Sequence, residues 1–315
     1  MKKTYLVLGG FGFIGTNILK FIDDNNLNIE IIVFDRFDKH PRGITFNCVK
    51  SVYSGDFSDT ELINKIFSEN KIDKVIHSLN STVPISSTNR RYDIESNLIN
   101  TVELLQTMIR HKVYDIVYIS SGGAIYGVNT TCRHKEDEVA YPISSYGIVK
   151  LTIEKYLFQM AYVDGLRPLI IRLSNPYGKY HYSNTQGICN IAIRNSIHDK
   201  IFQVRGDGRA LKDYIFINDF CAILFLLLHH NIHSEIINVA SGIIKSVNQI
   251  LHYVRQNFKS TFKWNYIKES ACDVQHFELD TTKLEGFIGK FEYTPFDVGM
   301  KITCEWENEV LTNER

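Results

Sequence analysis

Gly9-Gly10-Phe11-Gly12-Phe13-Ile14-Gly15 stands between an apolar run, Tyr5-Leu6-Val7-Leu8, and a stretch from Phe13 to Ile22. The run reads as a buried strand and the stretch as a helix, so the glycines occupy the turn between them. Their spacing suits a backbone that must come close to a diphosphate. Gly9 permits the tight turn, Gly12 the phosphate contact and Gly15 close packing of helix on strand. The helix start, at Phe13 and Ile14, offers unpaired N–H groups and the positive end of its dipole to the anion. A second apolar strand, 29–34, is closed by Asp35, 20 residues beyond Gly15. A carboxylate there accepts hydrogen bonds from both ribose hydroxyls of an adenosine and repels a 2′-phosphate. That favours NAD over NADP, with Arg36 beside it softening the preference.

The rest of the chain extends this pattern. Strands are expected at 4–8, 29–34, 73–77, 114–119 and 167–173, and helices at 13–24, 59–69, 91–111 and 144–162. Such alternation predicts a Rossmann-type, doubly wound parallel α/β sheet. Asp56, in Ser54-Gly55-Asp56-Phe57, closes a further strand. Beyond residue 175 the segments shorten and the alternation breaks, which predicts a smaller mixed α/β C-terminal substrate lobe. Residues 1–174 then form the dinucleotide-binding domain, 213–240 return to it, and 175–212 with 241–315 form the lobe. Ligands of such sheets lie beyond the carboxyl ends of the strands, here Gly9, Asp35, His77, Ser120–Gly123 and Leu173–Asn175.

Bulk properties exclude several classes. The 315 residues carry 35 basic and 35 acidic side chains, so neither nucleic acid nor an anionic membrane is an expected partner. Six scattered cysteines with no paired spacing suit reduced thiols in a cytoplasmic protein. Met1-Lys2-Lys3-Thr4 leads directly into the first strand and leaves no room for a signal peptide. The greasiest stretch, Cys221–Leu228, is too short to span a membrane. It reads as a buried helix capped by Asn218, and His229, His230 and His233 as its solvated end rather than as metal ligands.

Tyr146 and Lys150 are four residues apart in a helix capped by Ser144 or Ser145, so they share a face. An ammonium near a phenol favours phenolate and lowers the tyrosine pKa. Tyr146 can then exchange a proton with a sugar hydroxyl during transfer of a hydride to nicotinamide, with Lys150 also holding the nicotinamide ribose. A chance Tyr and Lys on an amphipathic helix would look the same by spacing. The pair's position, after a fifth strand behind a dinucleotide turn, favours the chemistry.

With these residues in place the chain resembles the extended short-chain dehydrogenases/reductases of nucleotide-sugar epimerase/dehydratase type, on the side of the UDP-hexose 4-epimerases. The resemblance runs through Gly9–Gly15, Asp35, Val75-Ile76-His77, Asn97 with Thr101, Ser120–Gly127 and Tyr146 with Lys150. It continues through Arg172–Gly178, Gln186-Gly187-Ile188, Gly206-Asp207-Gly208, Asp213–Ile217 and Asn238–Gly242. It implies that Asp56 and Phe57 flank the adenine, that His77 and Asn97 lie at the cofactor, and that Asn175 meets the substrate. It places Asn190 near the nucleotide, and it implies a homodimer built on helices 91–111 and 144–162.

Three departures stand out. Where the family carries a Ser or Thr that shares the sugar's proton, this chain has Gly122, with Ser121 the nearest hydroxyl. Where arginine precedes Asp213 the chain has Lys212, a point charge without the bidentate fork, with Arg209 or Arg205 as compensation. Where arginine precedes a C-terminal Asp-Val pair it has Ser270, ahead of Asp273-Val274.

The expected activity is NAD-dependent 4-epimerisation of a nucleotide sugar. A dehydratase is disfavoured, because Gly123-Ala124 stands where related dehydratases carry Asp-Glu. A 4-keto-6-deoxy sugar reductase shares nearly every motif. A non-catalytic dinucleotide sensor is favoured only by Gly122, since Tyr146 and Lys150 are retained.

Overall fold

A computed structural model of the chain describes residues 2–82, 89–127, 133–268 and 276–313. Ser270 and Asp273-Val274 lie outside the described residues. Five parallel strands occur in the first half: β1 (Lys3–Leu8), β2 (Ile29–Asp35), β3 (Val49–Ser54), β4 (Lys74–His77) and β5 (Asp115–Ser121). With Arg167–Leu173 and Glu235–Val239 they form a seven-stranded sheet ordered Glu235–Val239, Arg167–Leu173, β5, β4, β1, β2, β3. The order reverses beside β1, which opens a crevice at the carboxyl end of the sheet.

The strands are apolar almost throughout because helices cover both faces. Val7, Val33, Ile76, Val117 and Ile171 pack under helix α1 (Phe13–Asp24) and the Ile217–His229 helix. Leu6, Ile32, Val75, Tyr118 and Ile170 face helix α2 (Thr60–Glu69) and the Asn100–Arg110 and Ser145–Asp164 helices. Period-two alternation therefore sorts one set of strands into two cores.

Local chemistry departs from the expectations in three places. Asp56 lies beyond the end of β3, at Ser54, rather than closing the strand. The expected helix 91–111 is interrupted: Arg90–Asp93 is α-helical, Ile94–Ile99 a π turn, and Asn100–Arg110 α-helical again. The inserted residue swings Asn97 inward, which hydrophobic periodicity does not register. Asn218 lies inside the Ile217–His229 helix and caps nothing; Phe216 is the N-cap, with no side-chain cap bond. Of the two serines expected at the start of the Ser145–Asp164 helix, Ser144 is the cap, accepting the Gly147 N–H at 3.1 Å.

A smaller sheet follows, in which Leu211–Phe216 pairs parallel with Asn175–Tyr177 and antiparallel with Ile243–Ser246. Its own core contains Tyr177, Ile193, Phe216, Val254 and Met300. Residues 211–216 thus belong to this sheet, and 217–239 run back to the edge of the larger one. None of the described helices is long and apolar enough to cross a membrane.

Candidate active site

A cavity of about 1500 Å³ runs across the carboxyl ends of the large sheet, bounded on the far side by Ser174–Pro176 and His181–Ser183. At one end the turn after β1 forms its floor. A Cβ on Gly15 would stand 2.2 Å from the Gly9 carbonyl oxygen, so helix and turn approach as only glycine permits. Gly9 has φ +74°, the left-handed region. Gly12, Phe13 and Ile14 line the same wall and present the start of α1 to the cavity. Asp35 ends β2 and accepts the Phe11 N–H at 2.9 Å, which locks the turn to the strand beside it. Burial pushes its carboxyl up from the usual range, although backbone N–H groups oppose this. Arg36, Asp56 and Phe57 complete this end. Hydrogen bonds from Ser58 hold the Asp56 carboxyl below its ordinary range.

Ser121, Tyr146 and Lys150 meet at the middle of the cavity. Ser121 ends β5, and its hydroxyl hydrogen-bonds the Tyr146 phenol. Burial dominates the phenol and pushes it up to about 12, with the Ser121 bond acting the other way. The expected lowering by Lys150 is not found. The Lys150 Nζ stands 5.8 Å from the Tyr146 ring centroid and donates instead to the Ile119 carbonyl at 2.8 Å. It also lies 4.6 Å over the Tyr118 ring. Burial pushes the Lys150 ammonium down to about 7, opposed by Glu154.

Gly122 has a steric explanation. A Cβ there would lie 2.7 Å from Leu279 Cδ1 and 3.0 Å from Phe277 Cζ, so the position points into an apolar cluster. The hydroxyl that meets Tyr146 belongs to the preceding residue.

Other expected site residues stand back from the cavity. His77 is buried behind Phe57, ring edge to ring at 5.5 Å, with Nε2 at 3.1 Å from Thr101 Oγ1. Burial pushes it down to about 3, so it is a neutral packing group. Asn97 accepts the Ser81 N–H at 2.8 Å and donates to Thr82 Oγ1 at 3.2 Å, shaping a loop that does line the cavity. Asn190 spends its amide on both backbone groups of Gly178, at 3.2 and 2.7 Å. Arg209 is an exposed turn residue beside Asp207, and Lys212 pairs in register with Lys245 on the smaller sheet. Asn175, by contrast, lines the cavity and donates to the Asp213 carbonyl at 2.8 Å.

Two lining groups have no sequence signal of their own. His181 packs edge-on against Phe13 at 4.7 Å, and burial pushes it down to about 4. Tyr182 lies beneath the Arg42 guanidinium at 4.9 Å. Both meet the cofactor end only because the second lobe folds across it.

The sequence profile of the NAD dependent epimerase/dehydratase family matches residues 5–240. The chain belongs to this family. NAD is the family's cofactor, and the glycine turn and Asp35 fit its diphosphate and adenosine ribose. A UDP-glucose 4-epimerase of Thermotoga maritima, solved with UDP-glucose, is 27 % identical with a TM-score of 0.88, covering 98 % of this chain and 99 % of its own. One from Thermus thermophilus, solved with NAD, is 25 % identical with a TM-score of 0.85, covering 97 % and 99 %. A dTDP-4-dehydro-6-deoxyglucose reductase of Escherichia coli is 29 % identical over 248 residues, 76 % of this chain and 77 % of that protein. As a member of this family the chain is an enzyme of nucleotide-sugar chemistry.

Proposed function

We propose that this chain is a 4-epimerase of a nucleotide sugar of the UDP-hexose or UDP-N-acetylhexosamine class. The observation that carries the reading is the convergence of Ser121, Tyr146 and Lys150 on one cavity of about 1500 Å³. That volume exceeds the ~300–1000 Å³ of a site for one small ligand and suits a dinucleotide and a nucleotide sugar together. Similarity to the T. maritima and T. thermophilus epimerases supports it.

NAD, when bound, supplies the redox chemistry at C4 of the sugar and a positive charge beside the phenol. Tyr146 takes the proton of the C4 hydroxyl and returns it after the keto sugar has turned over. Ser121 shares that proton through its bond to Tyr146. Lys150 holds the nicotinamide ribose. Asn175 meets the sugar or its phosphates. The reaction belongs in the cytoplasm, with surface-polysaccharide precursors as its products.

Mass spectrometry of nucleotides released from freshly purified, denatured protein tests the reading. An epimerase regenerates its cofactor each cycle, so near-stoichiometric NAD is expected. Little retained nucleotide would instead favour a 4-keto-6-deoxy sugar reductase, the alternative that the E. coli relative supports. A homodimer is part of the proposal. Ile94 at 43 %, Ile148 at 52 % and Tyr156 at 41 % exposure give the two helical segments apolar residues outside the cavity. Sedimentation of the chain as a monomer at micromolar concentration would rule the dimer out.

A further inference from the structure

Behind Ser121 and Lys150 lies a buried polar assembly that the proposed reaction does not use. Glu154 sits one helical turn beyond Lys150 and is 1 % exposed. Its Oε1 accepts Ser120 Oγ at 2.6 Å. Its two oxygens receive Arg172 Nε at 3.2 Å each, and Oε2 receives Nη2 at 2.7 Å. Arg172 is the in-register neighbour of Ser120 on the adjacent strand. Its Nη1 donates to the Tyr126 hydroxyl at 2.9 Å, and that hydroxyl donates to Asn238 Oδ1 at 2.9 Å. One carboxylate therefore ties together the helix of Tyr146 and Lys150, the strand tip of Ser121, and the next strand.

Stability alone does not explain this arrangement. Desolvating two charges offsets most of their attraction, and apolar packing would hold the elements as well. The surroundings of Lys150 suggest a second use. Among the described residues its direct contacts are the Ile119 carbonyl and the rings of Tyr118 and Tyr146, none of them anionic. His77 on β4 faces it as a neutral ring. Among the described residues Glu154 is the acidic group whose field reaches it, and Arg172 pairs with Glu154.

We propose that Glu154 is a positioning residue of the site: through Ser120 it holds the strand tip that presents Ser121 to Tyr146, and it supplies the counter-charge for Lys150. This rests on the epimerase reading of those three residues, and the test separates the two.

Glu154→Gln keeps the size and the Ser120 bond but removes the charge. The Lys150 titration is followed in the full-length protein by NMR of 13Cε-lysine, with Lys150→Met assigning the signal. Loss of the anion makes the ammonium less favourable. Lys150 should titrate on the order of one pH unit lower in the variant, and the alkaline limb of UDP-galactose epimerisation should move down with it. Glu154→Asp should restore part of the shift. Ser120→Ala, which keeps the ion pair, should lower kcat about tenfold with KM and the Lys150 titration unchanged. If Glu154→Gln does not fold, Ser120→Ala carries the test. An unmoved Lys150 in folded Glu154→Gln, or Ser120→Ala turning over like wild type, would overturn the proposal. A shifted Lys150 in a protein with no epimerisation at any pH would instead sink the epimerase reading and leave the counter-charge standing.

Discussion

Ser121 and Gly122 are adjacent, yet their surroundings assign them opposite roles. The first ends β5 facing the cavity and bonds Tyr146, while the second turns its Cα hydrogens toward Leu279 and Phe277. Restoring a hydroxyl by Gly122→Ser should therefore leave activity no better. It should destabilise the chain by ~1–3 kcal/mol through overpacking, seen as a lowered melting temperature. Ser121→Ala should retain the fold and lose turnover by about tenfold or more. Tyr146→Phe should lose ~10²–10⁴-fold in kcat with NAD retention unchanged. Retained turnover in Tyr146→Phe would rule out the phenol as the proton carrier.

At the scale of elements, the first turn and the end of β2 act as one device. Asp35 both lines the cofactor end and holds the Phe11 N–H, so the carboxylate orients the loop it works beside. Asp35→Ala removes hydrogen bonds to a charged group worth ~1.5–3 kcal/mol. NAD affinity should fall by about 10- to 100-fold, measured by calorimetry on nucleotide-free protein. An unchanged affinity would detach Asp35 from the ribose. The π turn Ile94–Ile99 serves the same end more quietly, because it turns Asn97 toward the Ser81–Thr82 loop. Capping, helix lengths and the main strands follow from periodicity and terminal residues. The π turn does not, since one extra residue in a helix leaves the apolar stripe nearly intact.

Across the whole molecule, the second lobe closes the cofactor end with His181 and Tyr182. His181 is pushed from 6.5 down to about 4 by burial, with Arg194 adding to the effect. Its folded pKa lies below its unfolded one, so the unfolded chain takes up the proton first as pH falls. Stability from neutral His181 is present above pH 6.5 and is lost progressively toward about pH 4. In ligand-free protein, the melting temperature of wild type relative to His181→Gln should fall across that window and stay level above it. A constant difference would mean that His181 is not held neutral. The cationic residues expected at the substrate diphosphate are also a matter of the whole fold. Arg209 and Lys212 are close in sequence to the motif, but the smaller sheet carries them outside the cavity.

By itself the sequence determined the alternating sheet and helices, the glycine turn with Asp35, and the Tyr146–Lys150 face. Each of these depends on spacing along one element or across one crossover, where period and reach are set by backbone geometry. Only the tertiary structure decided that Ser121, and not position 122, faces the cavity beside Tyr146, and that His77 packs behind Phe57. It also decided that Asn190 is spent on backbone, and that Glu154 and Arg172 lie beneath Ser120 and Lys150. Those outcomes turn on which neighbour fills the space beside a side chain. Leu279, Phe277 and Asn238 come from segments more than a hundred residues away, and no local pattern carries their direction.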